Sequence, residues 1–278
     1  MVGNGNTLAL PILGIRYRCT DHDRSLRLAP NIDAENHEMR RRTLLLLLAL
    51  CAGAPLSAGL PVQAAETAAL VFGANGRLGS EIVKALLASN MTVTAFVRPS
   101  SDRSLLSGHD VRFIEGDARN RADVDKAMAT GRFDVVVNAI ARRSRSELGL
   151  YDASQNNITA AAKSAGVKQV IFFSSVGVGS SRSLYSDAAY ARFKSTMEER
   201  EAAERALIAS GVGYTIIRTG GVVDGDAISG KGYLSEEPRM GAIMRPELAR
   251  IMADCVGAPR CLNKIFHAVD ETQKLPFE

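Results

Sequence analysis

The stretch Ala69-Leu-Val-Phe-Gly73-Ala-Asn75-Gly76-Arg77-Leu78-Gly79 sets three glycines at intervals of three directly behind a short apolar run. A run of that kind reads as a buried strand, and the residues after Gly76 carry a helical pattern, so the glycines fall in a strand-to-helix turn. There Gly73 allows a tight turn, Gly76 lets a pyrophosphate approach the backbone, and Gly79 allows close packing of helix on strand. The helix start offers free N–H groups and a positive dipole end to phosphate. Asn75, Arg77 and Leu78 complete the loop. The spacing G-x-x-G-x-x-G is one residue wider than the usual dinucleotide fingerprint, and its place between strand and helix is what gives it meaning.

Outward from this turn, β-branched runs at 68–72, 92–97, 111–114, 134–138, 168–173, 213–217 and 264–269 alternate with helical segments at 77–89, 121–129, 149–165, 186–210 and 246–256. That alternation predicts an α/β fold, a doubly wound parallel sheet of Rossmann type, as a single domain over 65–278. No internal repeat breaks it. At the end of the second run, where an NAD-binding protein often carries an acid for the ribose hydroxyls, stand Arg98, Pro99 and Ser100. Arginine there suits a 2′-phosphate, with Arg77 as a second fork, which favours NADP over NAD.

Composition excludes several alternatives. With 46% hydrophobic and 23% charged residues and a net charge of +4, the chain has a globular balance. Arg40 to Arg42 account for much of that charge and no basic stripe follows, so nucleic acid is not an expected partner. Cys19, Cys51, Cys255 and Cys261 form no C-x-x-C pair and the four His are scattered, so no metal site is expected.

The segment from Met39 to Glu66, MRRRTLLLLLALCAGAPLSAGLPVQAAE, has a basic start, a leucine-rich core and small residues before Ala65. It reads as a signal peptide over 39–64, with 1–38 as an upstream extension outside the fold. The apolar run is shorter than the about 20 residues of a membrane span, so no stable span is expected after cleavage. Arg41-Arg42-Thr43-Leu44-Leu45 resembles a twin-arginine signal, which points to export to the periplasm. A cytoplasmic protein, or one anchored by an uncleaved signal, is the alternative. In an exported chain Cys255 and Cys261 are the remaining cysteines, and the turn containing Gly257 and Pro259 suits a disulfide between them.

The motifs VFGANGRLG (71–79), FVRPSS (96–101), GDARN (116–120), VVNAIA (136–141), VIFFSSVG (170–177) and GVGYTIIRTGGV (211–222) together resemble the short-chain dehydrogenase/reductase superfamily, most of all its atypical NmrA-like branch. The resemblance runs through roughly residues 68 to 270. It implies that Asp117 meets the adenine and that Asn138 and Ala139 line the cofactor path. Reductases of this superfamily use a tyrosine as proton donor, a lysine that favours its phenolate and holds the ribose, and a serine that orients the carbonyl. Tyr190 and Lys194, four residues apart on one predicted helix, match the first two. Ser175 at the end of the fifth strand matches the third, with Ser174 and Tyr185 as alternatives for their types. A lid over a small-molecule substrate is expected between Asp224 and Met240. NmrA-like proteins also include non-catalytic cofactor sensors, and epimerases and assembly factors use the same scaffold. The expectation is an NADP-dependent reductase of a small carbonyl or quinone-like substrate, with those roles as alternatives.

Overall fold

The computed structural model describes residues 66–275, apart from 143, 145, 146, 226 and 227. The signal segment and the extension before it lie outside the described residues. Alternation of buried side chains along the first strand, β1 (Ala68–Phe72), explains the architecture. Ala69 and Val71 face one core, while Leu70 and Phe72 face the other. A strand buried on both faces needs helices on both sides, and parallel neighbours supply them through crossovers.

The helix α1 (Arg77–Ala88) follows, then β2 (Thr92–Val97), β3 (Arg112–Glu115), α2 (Arg121–Met128), β4 (Val135–Asn138), α3 (Leu150–Ala165) and β5 (Gln169–Ser175). After these come a short helix α4 (Asp187–Ala191), α5 (Lys194–Ala209), β6 (Tyr214–Thr219), β7 (Gly221–Val223), β8 (Tyr233–Ser235), β9 (Ala242–Met244), α6 (Arg245–Asp254) and β10 (Lys264–Val269). Eight strands form one sheet in the order β3-β2-β1-β4-β5-β6-β10-β8, all parallel except β8, which pairs antiparallel with β10 along His267 to Val269. Helices α1 and α6 pack together over one face through Ile82, Leu86, Leu248 and Met252. The other face is covered by α2, α3 and α5 through Val124, Ile158, Ala203 and Leu207. Strand order reverses direction between β1 and β4, and the crevice above that switch point is the expected ligand position.

Two expectations need correction. The segment 186–210 is not one helix, because α4 ends at Ala191 and α5 begins at Lys194 after Phe193 leaves helical geometry at φ −121° and ψ 5°. The cause is packing. Helix α4 buries none of its residues, so nothing holds it in line with α5, whose buried face begins at Met197. Within the expected lid, Tyr233 to Ser235 instead form the sheet's edge strand β8. Among the described residues no helix is long and apolar enough to cross a membrane, and no cluster of His, Cys, Asp or Glu is arranged to hold a metal.

Opposite the switch point, Cys255 and Cys261 are bonded, with Cα atoms 5.5 Å apart. Gln169 and Thr215, at the starts of β5 and β6, hold this clasp. The Gln169 side chain donates to the Cys255 carbonyl (3.0 Å) and accepts from the Gly257 N–H (2.9 Å), while Thr215 Oγ1 donates to the Cys261 carbonyl (2.7 Å).

Candidate functional site

Gly73 turns the chain with φ +75°, a conformation that disfavours any side chain. A Cβ on Gly79 would stand 2.0 Å from the Gly73 carbonyl oxygen, so the start of α1 lies directly on the turn. Gly76 is different. It caps α1 without any side-chain hydrogen bond, and a Cβ there would meet only the Gly73 carbonyl oxygen, at 3.2 Å. Two of the three glycines are thus required by the fold, while at Gly76 a side chain would meet only that one backbone oxygen.

In front of this turn lies a cavity of about 640 Å³. Gly73, Asn75, Gly76, Arg77, Leu78, Arg98, Asp117 and Ala139 line it, which brings together most of the expected cofactor residues from the ends of β1 to β4. Asn75 donates to the Asp102 carbonyl (3.2 Å) and so fixes the loop over the β2 end. Arg98 lies 3.5 Å from Glu147, and Arg119 grips Asp117 at 2.7 Å. That hydrogen bond from Arg119 is the main reason the Asp117 carboxyl is held below its ordinary range, and the nearby Arg98 charge adds to it.

Asn138 is not on the cavity wall. It is buried, donates to Gln155 Oε1 (2.8 Å) and accepts from the Ile140 N–H (3.0 Å), so it shapes the β4 end on which Ala139 and Ile140 are presented. Gly79 likewise stands behind the wall.

None of the three expected catalytic residues lines the cavity. Ser175 ends β5 two residues beyond Phe173, which does line it, and its hydroxyl donates to the Val176 carbonyl (3.0 Å). Ser174 points to the opposite face and is buried in a bond to Glu204 (2.5 Å). Tyr190 sits on α4 with the Arg182 guanidinium 3.8 Å over its ring. Lys194 opens α5 with its ammonium 3.7 Å from Glu198. Tyr185 packs against Phe193, and burial pushes its phenol above the ordinary range.

Three wall residues, Arg142, Glu147 and Arg245, had no sequence reading, and Asp224 was read only as the start of the expected lid. Arg142, buried against Tyr151, reaches past the β4 end to pair with Glu199 of α5. Glu147 faces Arg98. Arg245, the first residue of α6, binds Asp224 through Nε (2.9 Å) and Nη2 (2.7 Å), and Arg77 reaches the same carboxylate at 2.7 Å. A strand-end position was the available signal for Arg142; pairing across 147 residues left none for Arg77 and Asp224.

The glycine turn, the open helix start and the cavity at the strand switch fit a dinucleotide, and residues 73–259 match the family described as NAD(P)H-binding. The chain belongs to that family. It is 28% identical over 231 residues to an uncharacterized chloroplastic protein of Arabidopsis thaliana, covering 74% of this chain and 69% of that one. Among solved structures it is similar to the anaerobilin reductase ChuY from Escherichia coli O157:H7, with 26% identity, a TM-score of 0.67, and coverage of 75% of this chain and 99% of that one. A wide-type short-chain dehydrogenase/reductase from Veillonella parvula, solved with NADP, shares the fold at 18% identity and a TM-score of 0.59, over 73% of this chain and 94% of that one. These likenesses support an NAD(P)-binding oxidoreductase fold.

Proposed function

We propose that the protein is an NADP-dependent reductase of a small carbonyl or quinone-like compound. The observation that carries this reading is the cavity above the β1/β4 switch, with its open glycine turn and with Arg98 where an NAD-binding chain would place an acid. The likeness to a reductase at 26% identity supports the same class. Gly73, Gly76, Arg77, Leu78 and Ala139 would hold the nucleotide, with Arg98 on the 2′-phosphate. When bound, the reduced nicotinamide supplies a hydride.

The chain's own part is the proton. Tyr190 Oη gives it to the substrate oxygen, Ser175 Oγ donates a hydrogen bond that orients that oxygen, and Lys194 stabilises the phenolate left behind. Ser175 must release the Val176 carbonyl to do so, and α4 must bring Tyr190 to the cavity. The position of these three residues off the wall favours a second reading, a cofactor sensor without turnover. For the exported chain suggested by residues 39–64, twin-arginine transport would carry a folded protein with its nucleotide across.

The test is NADPH oxidation against a panel of aldehydes and quinones. Tyr190→Phe should lower turnover by about 10²–10⁴-fold while leaving NADPH affinity nearly unchanged. Arg98→Ala should weaken NADPH and spare NADH. A tyrosine variant as fast as wild type refutes the mechanism, and tight cofactor binding without turnover of any panel member establishes the sensor.

A further inference from the structure

Five arginines and two acids line the cavity: Arg77, Arg98, Arg119, Arg142 and Arg245 against Asp117 and Glu147. Three of the arginines are matched one to one, Arg98 with Glu147, Arg119 with Asp117, and Arg142 with Glu199 from α5. The other two share a single carboxylate. Asp224 receives Arg77 Nη1 on one oxygen (2.7 Å) and both Nε and Nη2 of Arg245 on the other (2.9 and 2.7 Å).

The positions of the three side chains differ in a telling way. Arg245 is fixed, with 13% of its side chain exposed, whereas Asp224 is 62% exposed and follows β7 on a connecting segment. Arg77 and Arg245 are also the first residues of α1 and α6, which pack side by side and point their positive ends at the same place. A positive site with a rigid floor is closed by a solvent-facing acid of the chain itself.

We propose that Asp224 is a resident anion in an oxyanion seat, and that a ligand phosphate or carboxylate takes its place between Arg77 and Arg245. This rests on the reductase reading and deepens it. The incoming group is either the diphosphate bridge of the cofactor or a carboxylate on the substrate, and both are planar or tetrahedral oxyanions that a guanidinium fork holds well. Asp224 thereby competes with the ligand, so removing its charge strengthens binding, the reverse of what loss of a ligand-holding residue does.

The experiment compares wild type, Asp224→Asn, Arg245→Gln and the double variant, with Asp254→Asn at the far end of α6 as a control for net charge. Calorimetric titrations use NADPH, inorganic pyrophosphate, and, in the presence of NADP⁺, 4-carboxybenzaldehyde against uncharged benzaldehyde. Asp224→Asn should bind one of the anionic probes about fivefold tighter, and Arg245→Gln should cancel that gain. A gain for NADPH and pyrophosphate assigns the seat to the diphosphate bridge. A gain for 4-carboxybenzaldehyde alone assigns it to a substrate carboxylate. If every probe responds to Asp224→Asn as it does to Asp254→Asn, the seat does not exist. Failure of wild type to bind NADPH overturns the reductase reading separately, and the pyrophosphate titration then decides the seat by itself.

Discussion

Gly76 and Gly79 are three residues apart in one loop, yet they answer to different demands. At Gly79 an added methyl would stand 2.0 Å from the Gly73 carbonyl oxygen, so α1 must lift off the turn. Gly79→Ala should therefore cost about 1–3 kcal/mol in urea unfolding and weaken NADPH as a secondary effect. At Gly76 the backbone has φ −75° and ψ 163°, open to any residue, and the nearest atom is 3.2 Å away. Gly76→Ala should keep stability within about 1 kcal/mol and, on the proposed reading of this loop as the diphosphate cradle, still lose NADPH by tenfold or more. Parallel losses of stability and affinity in both variants would mean that the loop is a structural turn only. At this scale the sequence was legible, since spacing and local backbone geometry are set by neighbours. Asp224 and Arg245 were not, because nothing near Asp224 in the chain announces an arginine pair assembled by folding.

Among the elements, the ends of β5, β6 and β10 share a buried polar cluster. Glu204 of α5 binds Arg218 of β6 at 2.6 and 3.1 Å and accepts from Ser174 of β5, while Ser180 lies 3.2 Å from the same guanidinium. His267 of β10 is in register with Arg218 and only 1% exposed. Burial is the main force holding the imidazole below its ordinary 6.5, the Arg218 charge adds to it, and the backbone of Ser235 and Glu237 opposes both. A depressed folded-state value means that the unfolded chain binds the extra proton first. Stability should be full above about pH 6.5 and fall as pH drops from there toward the folded value, well before carboxylates such as Asp134, held low by Lys168, begin to protonate. Urea midpoints at pH 8 and pH 5.5 measure this, and His267→Phe should flatten the difference; an equal slope in that variant would place the titrating group elsewhere. Strands such as β1, β4 and β6 were readable as apolar, β-branched runs because they are buried on both faces, whereas the edge strand β3, with Arg112 and Glu115 exposed, showed as a shorter and weaker run. Strands β7, β8 and β9, three residues each, carry no period to read, and the break between α4 and α5 depends on what α4 fails to bury.

The domain formed by the described residues has two unlike ends. The C-terminal ends of the central strands carry the glycine turn, the arginines and the cavity, and the starts of β5 and β6 carry the Cys255–Cys261 clasp. A bond closing a loop this short stabilises by about 2 kcal/mol in the chain-entropy account. Urea unfolding with and without reductant should differ by about that amount, while NADPH affinity should stay within twofold, because Gln169 and Thr215 transmit the bond only to the starts of their strands. An affinity that followed the thiol state would show that the two ends communicate. Separation of this kind makes the finished molecule independent of its history. A chain that takes up nucleotide while its thiols are free and is oxidised afterwards arrives at the same state as one oxidised first, so neither event has to wait for the other.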